Sequence, residues 1–306
     1  MIRVNAMHVS TESGVRNATA RRAFSLIEVL VAVTLMSVIV LGLLAMFNQT
    51  QRAFRTGITQ VDVMESGRAA CELMARELEQ IAPTSLPDTL NLFVQWNGYA
   101  LPQTLPGPDL ANQPQARTNI LDDLFFFTRE NRNWQGVGYL VKSTNLVGTL
   151  YRYETNVANL DLDLVTQADL SPVKFRDRAF SMRPSRVIDG VVHLRVLAYD
   201  NIGELITPFS HTNSFISVTN LSAFPAISPN PSLQLAPDLD LAYHFRNQAV
   251  PAYLELEIGV LEAKTAARAR NLPVGSQAEF LKAKAGNVQI FRQRIPVRNV
   301  IPSVYQ

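Results

Sequence analysis

The chain has 306 residues, 47% of them hydrophobic, and its 28 Lys and Arg exceed its 26 Asp and Glu by two. This length allows one large core with an accessory segment, and the near-neutral charge gives no general reason to expect nucleic acid or a strongly anionic partner. Cys71 is the only cysteine, which excludes an internal disulfide and a multi-thiolate zinc site within the chain.

The first predicted element is a membrane-spanning helix. Residues 29–47 carry no charged side chain, and the hydroxyls of Thr34 and Ser37 can bond to the helix backbone. Counted from Phe24, the segment makes about 36 Å of helix, enough to cross a hydrocarbon layer about 30 Å thick. A buried core helix is the alternative. Four arginines precede the span against the single Glu12, which predicts a cytoplasmic amino terminus and an external remainder: Arg3, Arg16, Arg21 and Arg22.

Glu28 is unusual in this segment, because an unpaired carboxylate near the bilayer centre costs about 2.5–3.5 kcal/mol or more. The stretch AFSLIEVLVAVTLM, which contains Glu28, resembles the prepilin recognition sequence shared by type IV pilins and type II secretion pseudopilins. Ala23 takes the small position that ends the basic leader, Phe24 is the first mature residue, and Glu28 is the fifth. The family usually has glycine where this chain has Ala23.

The resemblance implies how this segment is processed and used. A prepilin peptidase would cut between Ala23 and Phe24 on the cytoplasmic side, remove the leader with Arg21 and Arg22, and methylate the new amine. Glu28 would pair with the Phe24 amine of a neighbouring subunit and fix the axial register. The implied partners are the peptidase, other pilins or pseudopilins, and the inner-membrane assembly platform.

Two other interpretations of the amino-terminal segment are open. A twin-arginine export signal matches Arg21 and Arg22 loosely, but Glu28 interrupts the apolar region and no A-x-A cleavage site follows. A plain signal anchor explains the apolar run and the arginines and leaves Glu28 without a role.

Helical spacing of apolar residues continues beyond Phe47 as far as Ile81, which predicts a stalk helix of about 87 Å from Phe24. Gly57 and Gly67 are predicted bends. Cys71 lies on the apolar stripe and is interpreted as a small core residue, with a reactive thiol as the alternative.

Strand patterns dominate the rest of the chain. The proline-rich stretches 83–114 and 208–237 are interpreted as loops. Residues 252–261 alternate apolar side chains with Glu255 and Glu257 and predict a half-buried strand. Ser276 and Glu279 form a candidate capping box for a short helix ending near Gly286. The other predicted strands are residues 124–128, a hairpin of 138–142 with 149–154, 187–199, and 288–297.

The predicted fold class is therefore α+β, with a long N-terminal transmembrane and stalk helix followed by a β-rich periplasmic head. The expected domains are a cleaved basic leader (1–23), the transmembrane and stalk helix (24–82) and the head (83–306). The order of the elements resembles the J-type pseudopilins of type II secretion and the W-type minor pilins.

The sequence shows no catalytic constellation. Its four histidines never fall at ligand spacing, and no hydrolase, nucleotide-binding or metalloprotease motif occurs, so no enzyme activity is expected. Three pairs of acids could supply oxygen ligands to calcium: Asp122 and Asp123, Asp161 and Asp163, and Asp238 and Asp240. Solvated carboxylates are the favoured interpretation of these pairs. No other cofactor is expected.

One local charge asymmetry lies near the carboxyl terminus, where eight basic residues stand against Glu262 and Glu279: Lys264, Arg268, Arg270, Lys282, Lys284, Arg292, Arg294 and Arg298. A solvated face is favoured over acidic partner subunits, and DNA is disfavoured as a partner because no aromatic stacking array accompanies the charges. The predicted function is a minor pilin or pseudopilin in or at the tip of a type II secretion pseudopilus or type IV pilus-like filament. The alternative is a signal-anchored periplasmic binding domain without a filament role.

Overall fold

A computed structural model describes residues 25–84, 90–96, 119–130, 133–142, 147–157, 183–207, 215–220 and 241–305. The described residues form a long N-terminal helix, nine strands and two further α-helices, which confirms the predicted α+β class. The chain divides into two compact units between Arg55 and Thr56. We name residues 1–55 the helical unit and residues 56–306 the sheet unit.

Helix α1 runs from Leu26 to Leu78 and confirms the predicted long helix. It continues through Gly57 and Gly67, so neither glycine ends a helical segment. Gly67 has a packing role instead, because a Cβ at this position would overlap the ring of Phe291. Only the smallest residue lets the sheet approach the helix so closely at this point.

The nine described strands form one sheet in the order β6-β7-β1-β2-β3-β4-β5-β8-β9. All neighbouring strands are antiparallel, and the predicted hairpin is present as β3 and β4, with Gly138 opposite Tyr153. The strands are β1 (Leu90–Trp96), β2 (Asp122–Glu130), β3 (Asn133–Lys142), β4 (Gly148–Val157), β5 (Ser185–Tyr199), β6 (Ile216–Asn220), β7 (Leu241–Arg246), β8 (Tyr253–Leu261) and β9 (Val288–Pro296).

Three strands were missed by the sequence analysis. Strand β1 lies within the predicted loop 83–114, β6 lies within the predicted loop 208–237, and β7 had no prediction. The β1 strand is hydrogen-bonded to both β2 and β7, and β7 follows it by about 150 residues in the chain. Its partners are therefore not visible in its own local pattern.

Two short helices connect β8 to β9: α2 (Ala263–Arg270) and α3 (Val274–Ala283). The predicted capping box at Ser276 is wrong, because α3 already begins at Val274 with Pro273 as its N-cap. The Ser276 amide donates to the Pro273 carbonyl at 2.9 Å, as an ordinary first-turn bond. Helix α2 was not predicted.

The core of the sheet unit joins one face of α1 to the sheet. The buried α1 residues recur at helical spacing: Val63, Gly67, Ala70, Cys71, Met74, Ala75 and Leu78. They pack with sheet residues such as Leu124, Tyr139 and Leu256. Cys71 is 5% exposed, which confirms its prediction as a core residue. Burial, with a smaller contribution from Glu72, raises the pKa of its thiol to about 11.

The sheet buries polar groups that the sequence analysis placed in solvent. Glu257 is fully buried, so β8 is not the half-buried strand that its alternation predicted. The His193 Nδ1 accepts from the Ile120 amide at 3.0 Å, and its Nε2 lies 3.3 Å from a Glu257 carboxylate oxygen. Because Nδ1 accepts, we assign the proton of the neutral ring to Nε2, which donates to Glu257.

Asp122 and Asp123 are also buried, which corrects their interpretation as solvated acids. Asp122 Oδ2 accepts from the Val196 amide at 3.0 Å, so this carboxylate connects β2 to β5. The other two acidic pairs, Asp161 with Asp163 and Asp238 with Asp240, lie outside the described residues. Within the described part of the chain, no three His, Cys, Asp or Glu side chains are grouped to hold a metal.

Candidate processing and assembly site on the amino-terminal helix

Helix α1 begins with a reciprocal capping box formed by Ser25 and Glu28. Glu28 Oε2 accepts from the Ser25 amide at 3.0 Å and from the Ser25 hydroxyl at 3.1 Å. The Glu28 amide in turn donates to Ser25 Oγ at 3.3 Å. These bonds satisfy amide groups that the first turn of a helix leaves without a partner. Glu28 therefore has a role within its own chain.

Ser25 was not predicted as a site residue, although the sequence contains the pattern that indicates its role. A serine followed three residues later by glutamate, just before an apolar run, is the pattern of a capping box. Glu28 Oε2 takes both bonds from Ser25, and Oε1 makes no hydrogen bond with any described residue. One carboxylate oxygen is therefore available to a group outside the described part of the chain.

The apolar surface of the helical unit is exposed on every side. Large hydrophobic side chains from Leu26 to Phe47 are between 48% and 82% exposed. Among the described helices, α1 alone is long and apolar enough to cross a membrane, with a mean hydropathy of 2.8 in its best window and none of that window buried. A core helix of a soluble protein would bury this surface, so the exposure supports membrane anchoring.

Polar side chains within the apolar stretch bond to the helix itself. The Thr34 hydroxyl donates to the Val31 carbonyl at 2.8 Å, and the Ser37 hydroxyl donates to the Val33 carbonyl at 2.8 Å. Just after the apolar stretch, the Thr50 hydroxyl makes the same kind of bond to the Met46 carbonyl at 2.9 Å. Such bonds remove the cost of placing a hydroxyl in hydrocarbon, so these residues are compatible with a bilayer.

The carboxyl-terminal end of α1 is connected to the sheet by Glu77. Arg152 donates to Glu77 through Nε at 2.8 Å, and its guanidinium lies 2.7 Å from the same carboxylate. The Tyr139 hydroxyl also donates to Glu77. Burial, and then the neighbouring Glu77 charge, raise the pKa of Tyr139, so it stays protonated and remains a donor. This network fixes the last turn of α1 on strands β3 and β4.

The predicted processing residues Ala23 and Phe24 lie outside the described residues, as do the leader residues Arg21 and Arg22. Glu28 is the predicted site residue that the structure describes. Its position in the first turn of α1 places it at the start of the apolar surface.

Comparison with known proteins adds one finding at this site. The family model described as "Prokaryotic N-terminal methylation motif" matches residues 19–44. No curated protein and no solved structure matches the chain. The matched segment includes the predicted cleavage position, Glu28 and most of the exposed apolar surface. The motif and the long apolar helix together support a membrane-anchored, type IV pilin-like protein.

Proposed function

We propose that the chain is a minor pilin or pseudopilin, a structural subunit of a type II secretion pseudopilus or a type IV pilus-like filament. Prepilin peptidase cuts it between Ala23 and Phe24 and methylates the Phe24 amine. The mature subunit stays in the inner membrane through α1, with the sheet unit on the periplasmic side, until it assembles with other pilins. The observation that carries this proposal is the methylation motif at residues 19–44, which covers the first part of a helix whose large hydrophobic side chains from Leu26 to Phe47 are all exposed.

Glu28 supports assembly as well as anchoring in this proposal. Its Oε2 is engaged by Ser25, and its Oε1 is available to the methylated amine of Phe24 on a neighbouring subunit. Opposite charges attract much more strongly away from bulk water than in it. The pairing offsets the cost of both charges in the bilayer only once subunits meet, so it favours one axial register.

The large sheet unit favours a low-copy position at or near the filament tip. A sheet of nine described strands with two added helices is bulky for a subunit that must repeat closely along a shaft. The order of elements, with a stalk helix before antiparallel strands, is the feature in which the chain resembles J-type pseudopilins and W-type minor pilins. No cofactor or catalytic role is part of the proposal.

The test is the intact mass of the protein extracted from membranes of cells with and without a prepilin peptidase. With the peptidase, we expect a chain that begins at Phe24 and carries one added methyl group. Without it, the full leader should remain. The variant Ala23→Gly should be cut at least as fast, because glycine is the usual residue at that position in the family that the motif resembles.

A mature chain that keeps its leader in the presence of the peptidase would contradict the proposal. Such a result would leave a plain signal anchor carrying a periplasmic binding domain. Co-purification with other proteins of the same motif separates the two functions further, because an anchored binding domain has no need of those partners.

A further inference from the structure

The basic side chains near the carboxyl terminus form two groups. Three lysines, Lys264, Lys282 and Lys284, are exposed and make no ion pair with any described residue. They are three of the five lysines in the chain. The arginines instead contact carboxylates or aromatic rings of the sheet unit: Arg268, Arg270, Arg292, Arg294 and Arg298. Within the predicted solvated face, the three lysines are therefore the exposed basic residues that pair with no carboxylate or aromatic ring of the described residues.

The three lysines lie at one end of the helix pair α2–α3. Lys264 is in the first turn of α2, Lys282 is in the last turn of α3, and Lys284 follows α3 directly. The Asn287 side-chain amide donates to the Thr265 hydroxyl at 3.5 Å, so the segment after α3 returns to the beginning of α2. We name Lys264, Lys282 and Lys284 the lysine surface.

The end of the helix pair that carries the lysine surface packs beside the first turns of α1 in the sheet unit. The Thr59 hydroxyl donates to Glu262 at 3.0 Å, immediately before α2. A cleft of about 300 Å³ lies at this junction and is lined from both sides by Thr56, Gln60, Val63, Glu262, Gly286, Asn287 and Gln289. The lysine surface therefore lies at the end of the sheet unit where the chain enters it.

Chain length limits how far this end can be from the membrane. The apolar run ends at Phe47, and Thr56, which lines the cleft, follows nine residues later. Nine residues of helix span about 14 Å. A charged surface within one or two Debye lengths of a bilayer, about 10 Å each at 0.1 M salt, interacts with its headgroups.

We propose that the lysine surface binds the anionic phospholipid headgroups of the leaflet from which α1 emerges. The proposal rests on the membrane anchoring of α1 and goes beyond filament assembly. Glu279 is the one acid within α2 and α3, so the lysines outnumber the acids of this helix pair three to one, while Glu262, which precedes α2, bonds to Thr59. No described side chain of α2 or α3 is a large exposed hydrophobic group, which disfavours a protein interface with an apolar centre.

The test uses the full mature chain in lipid nanodiscs with a fluorescent label on Ala283→Cys, an exposed position between Lys282 and Lys284. Cys71 is buried and its pKa is raised to about 11, so the label reacts with the introduced thiol. A nitroxide on the lipid headgroup quenches the label on contact. We expect more quenching in discs that contain phosphatidylglycerol than in phosphatidylcholine discs, and loss of that difference at 1 M salt, where the Debye length is about 3 Å.

The matched variants remove three positive charges each. Lys264→Gln, Lys282→Gln and Lys284→Gln together should abolish the effect of anionic lipid. Replacing three exposed arginines near the other end of α1 should leave it intact: Arg76, Arg129 and Arg298, each to Gln. Equal quenching in both kinds of disc, or an equal loss in the two triple variants, overturns the proposal.

Crosslinking of the same variants to other prepilins distinguishes a protein partner. If the lysine variant loses crosslinks and the unchanged chain shows no preference for anionic lipid, the surface binds an acidic subunit and the lipid proposal is wrong. The intact mass of each preparation reports cleavage at Phe24 separately. A failure of the proposed function is thus distinguishable from a failure of lipid binding.

Discussion

Two stretches of the same helix differ in what surrounds them. In residues 26–47 of α1, every large hydrophobic side chain is exposed, whereas in residues 56–78 the exposed side chains alternate with a buried stripe that ends at Leu78. Backbone hydrogen bonding is the same in both. The first stretch is apolar on all sides and requires a lipid environment, and the second is amphipathic and requires a protein surface.

The comparison shows that helix length alone says little about function. Secondary structure satisfies the backbone in either environment, and the side chains decide which environment each part of the helix occupies. Substitutions in the two stretches should therefore change different measurable properties. Unfolding of the sheet unit reports on the second stretch, and membrane retention and subunit assembly report on the first.

The largest expected effect is at Met74, which is fully buried between α1 and the sheet. Met74→Ala should lower the free energy of unfolding of the sheet unit by about 2–5 kcal/mol, because it removes buried contacts and leaves a cavity. A denaturant titration that is monitored by tryptophan fluorescence measures this change in stability, since Trp96 and Trp134 both lie in the sheet.

The matched control for Met74→Ala is Leu35→Ala in the first stretch, where the side chain is 59% exposed. It should leave unfolding of the sheet unit unchanged. An equal loss of stability in both variants would show that the first stretch also packs on protein, and the contrast between the two stretches would fail.

Acid should lower the stability of the sheet unit through protonation of His244, which lies in β7. Burial, with a smaller contribution from Arg246, lowers the pKa of His244 to about 4, and its ring stacks on Phe93 with centroids 5.4 Å apart. The unfolded chain takes up a proton near pH 6.5, before the folded one does. This contribution is therefore fully present above about pH 6.5 and is lost as the pH falls through about 4.

The expected size of the His244 effect is about 3 kcal/mol between neutral pH and pH 4. His244→Phe keeps a stacking ring and removes the titrating group, so its stability should fall less with acid than that of the unchanged chain. Unfolding titrations of both proteins at several pH values give the difference between their free energies of unfolding. The contributions of the other titratable groups are common to both proteins and cancel in this difference. Parallel pH profiles would mean that the pKa of His244 is the same in the folded and the unfolded protein.

Replacing glycine by alanine should change the stability of the protein in opposite directions at two positions of α1. Gly67→Ala should destabilise the sheet unit by about 1–3 kcal/mol, because the new methyl group displaces the Phe291 ring. Gly57→Ala meets nothing within 4 Å and should stabilise the helix by up to about 1 kcal/mol through its better helix propensity. Thermal unfolding of the two variants side by side tests the pair. Stabilisation by both would mean that α1 and β9 are not in close contact at Gly67.

The sequence predicted the elements whose pattern is local. The apolar and helical periodicity predicted a helix from Phe24 to Ile81, and α1 runs from Leu26 to Leu78. Strand patterns predicted β2, the β3–β4 hairpin and strands β5, β8 and β9. Strand β1 was missed because its stability comes from pairing with β7, far along the chain. Glu257 was placed in solvent because alternation does not show that the second face of β8 is also covered.

The candidate site also has features that the local sequence pattern predicts and features that it does not. Glu28 was selected because a carboxylate conflicts with an apolar helix, which is visible in the sequence alone. Its bond to Ser25 was also visible in principle, since both residues of a capping box are three positions apart. The contacts of Glu77 with Arg152 and Tyr139 join residues more than 60 positions apart, and no local pattern predicts them.

The smallest effects on stability, and the most informative for assembly, are at Ser25 and Glu28. Ser25→Ala removes the hydroxyl bonds of the capping box and should cost about 1 kcal/mol of helix stability while it keeps the carboxylate charge. Glu28→Gln keeps an acceptor for the Ser25 amide and removes the charge. Glu28→Leu removes both and makes the membrane helix more apolar. All three variants should stay in the membrane.

Crosslinking to partner prepilins at matched expression separates capping from charge pairing. If Glu28 pairs with the Phe24 amine of a neighbour, Ser25→Ala should still crosslink, whereas Glu28→Gln and Glu28→Leu should both lose crosslinks, although cleavage before Phe24 persists in each. A loss in Ser25→Ala equal to that in Glu28→Gln would assign the effect to the helix cap. Glutamine differs from glutamate here in lacking the charge that the neighbour's amine requires. If every variant crosslinks as well as the unchanged chain, that charge is not needed for assembly, and Glu28 serves only its own helix.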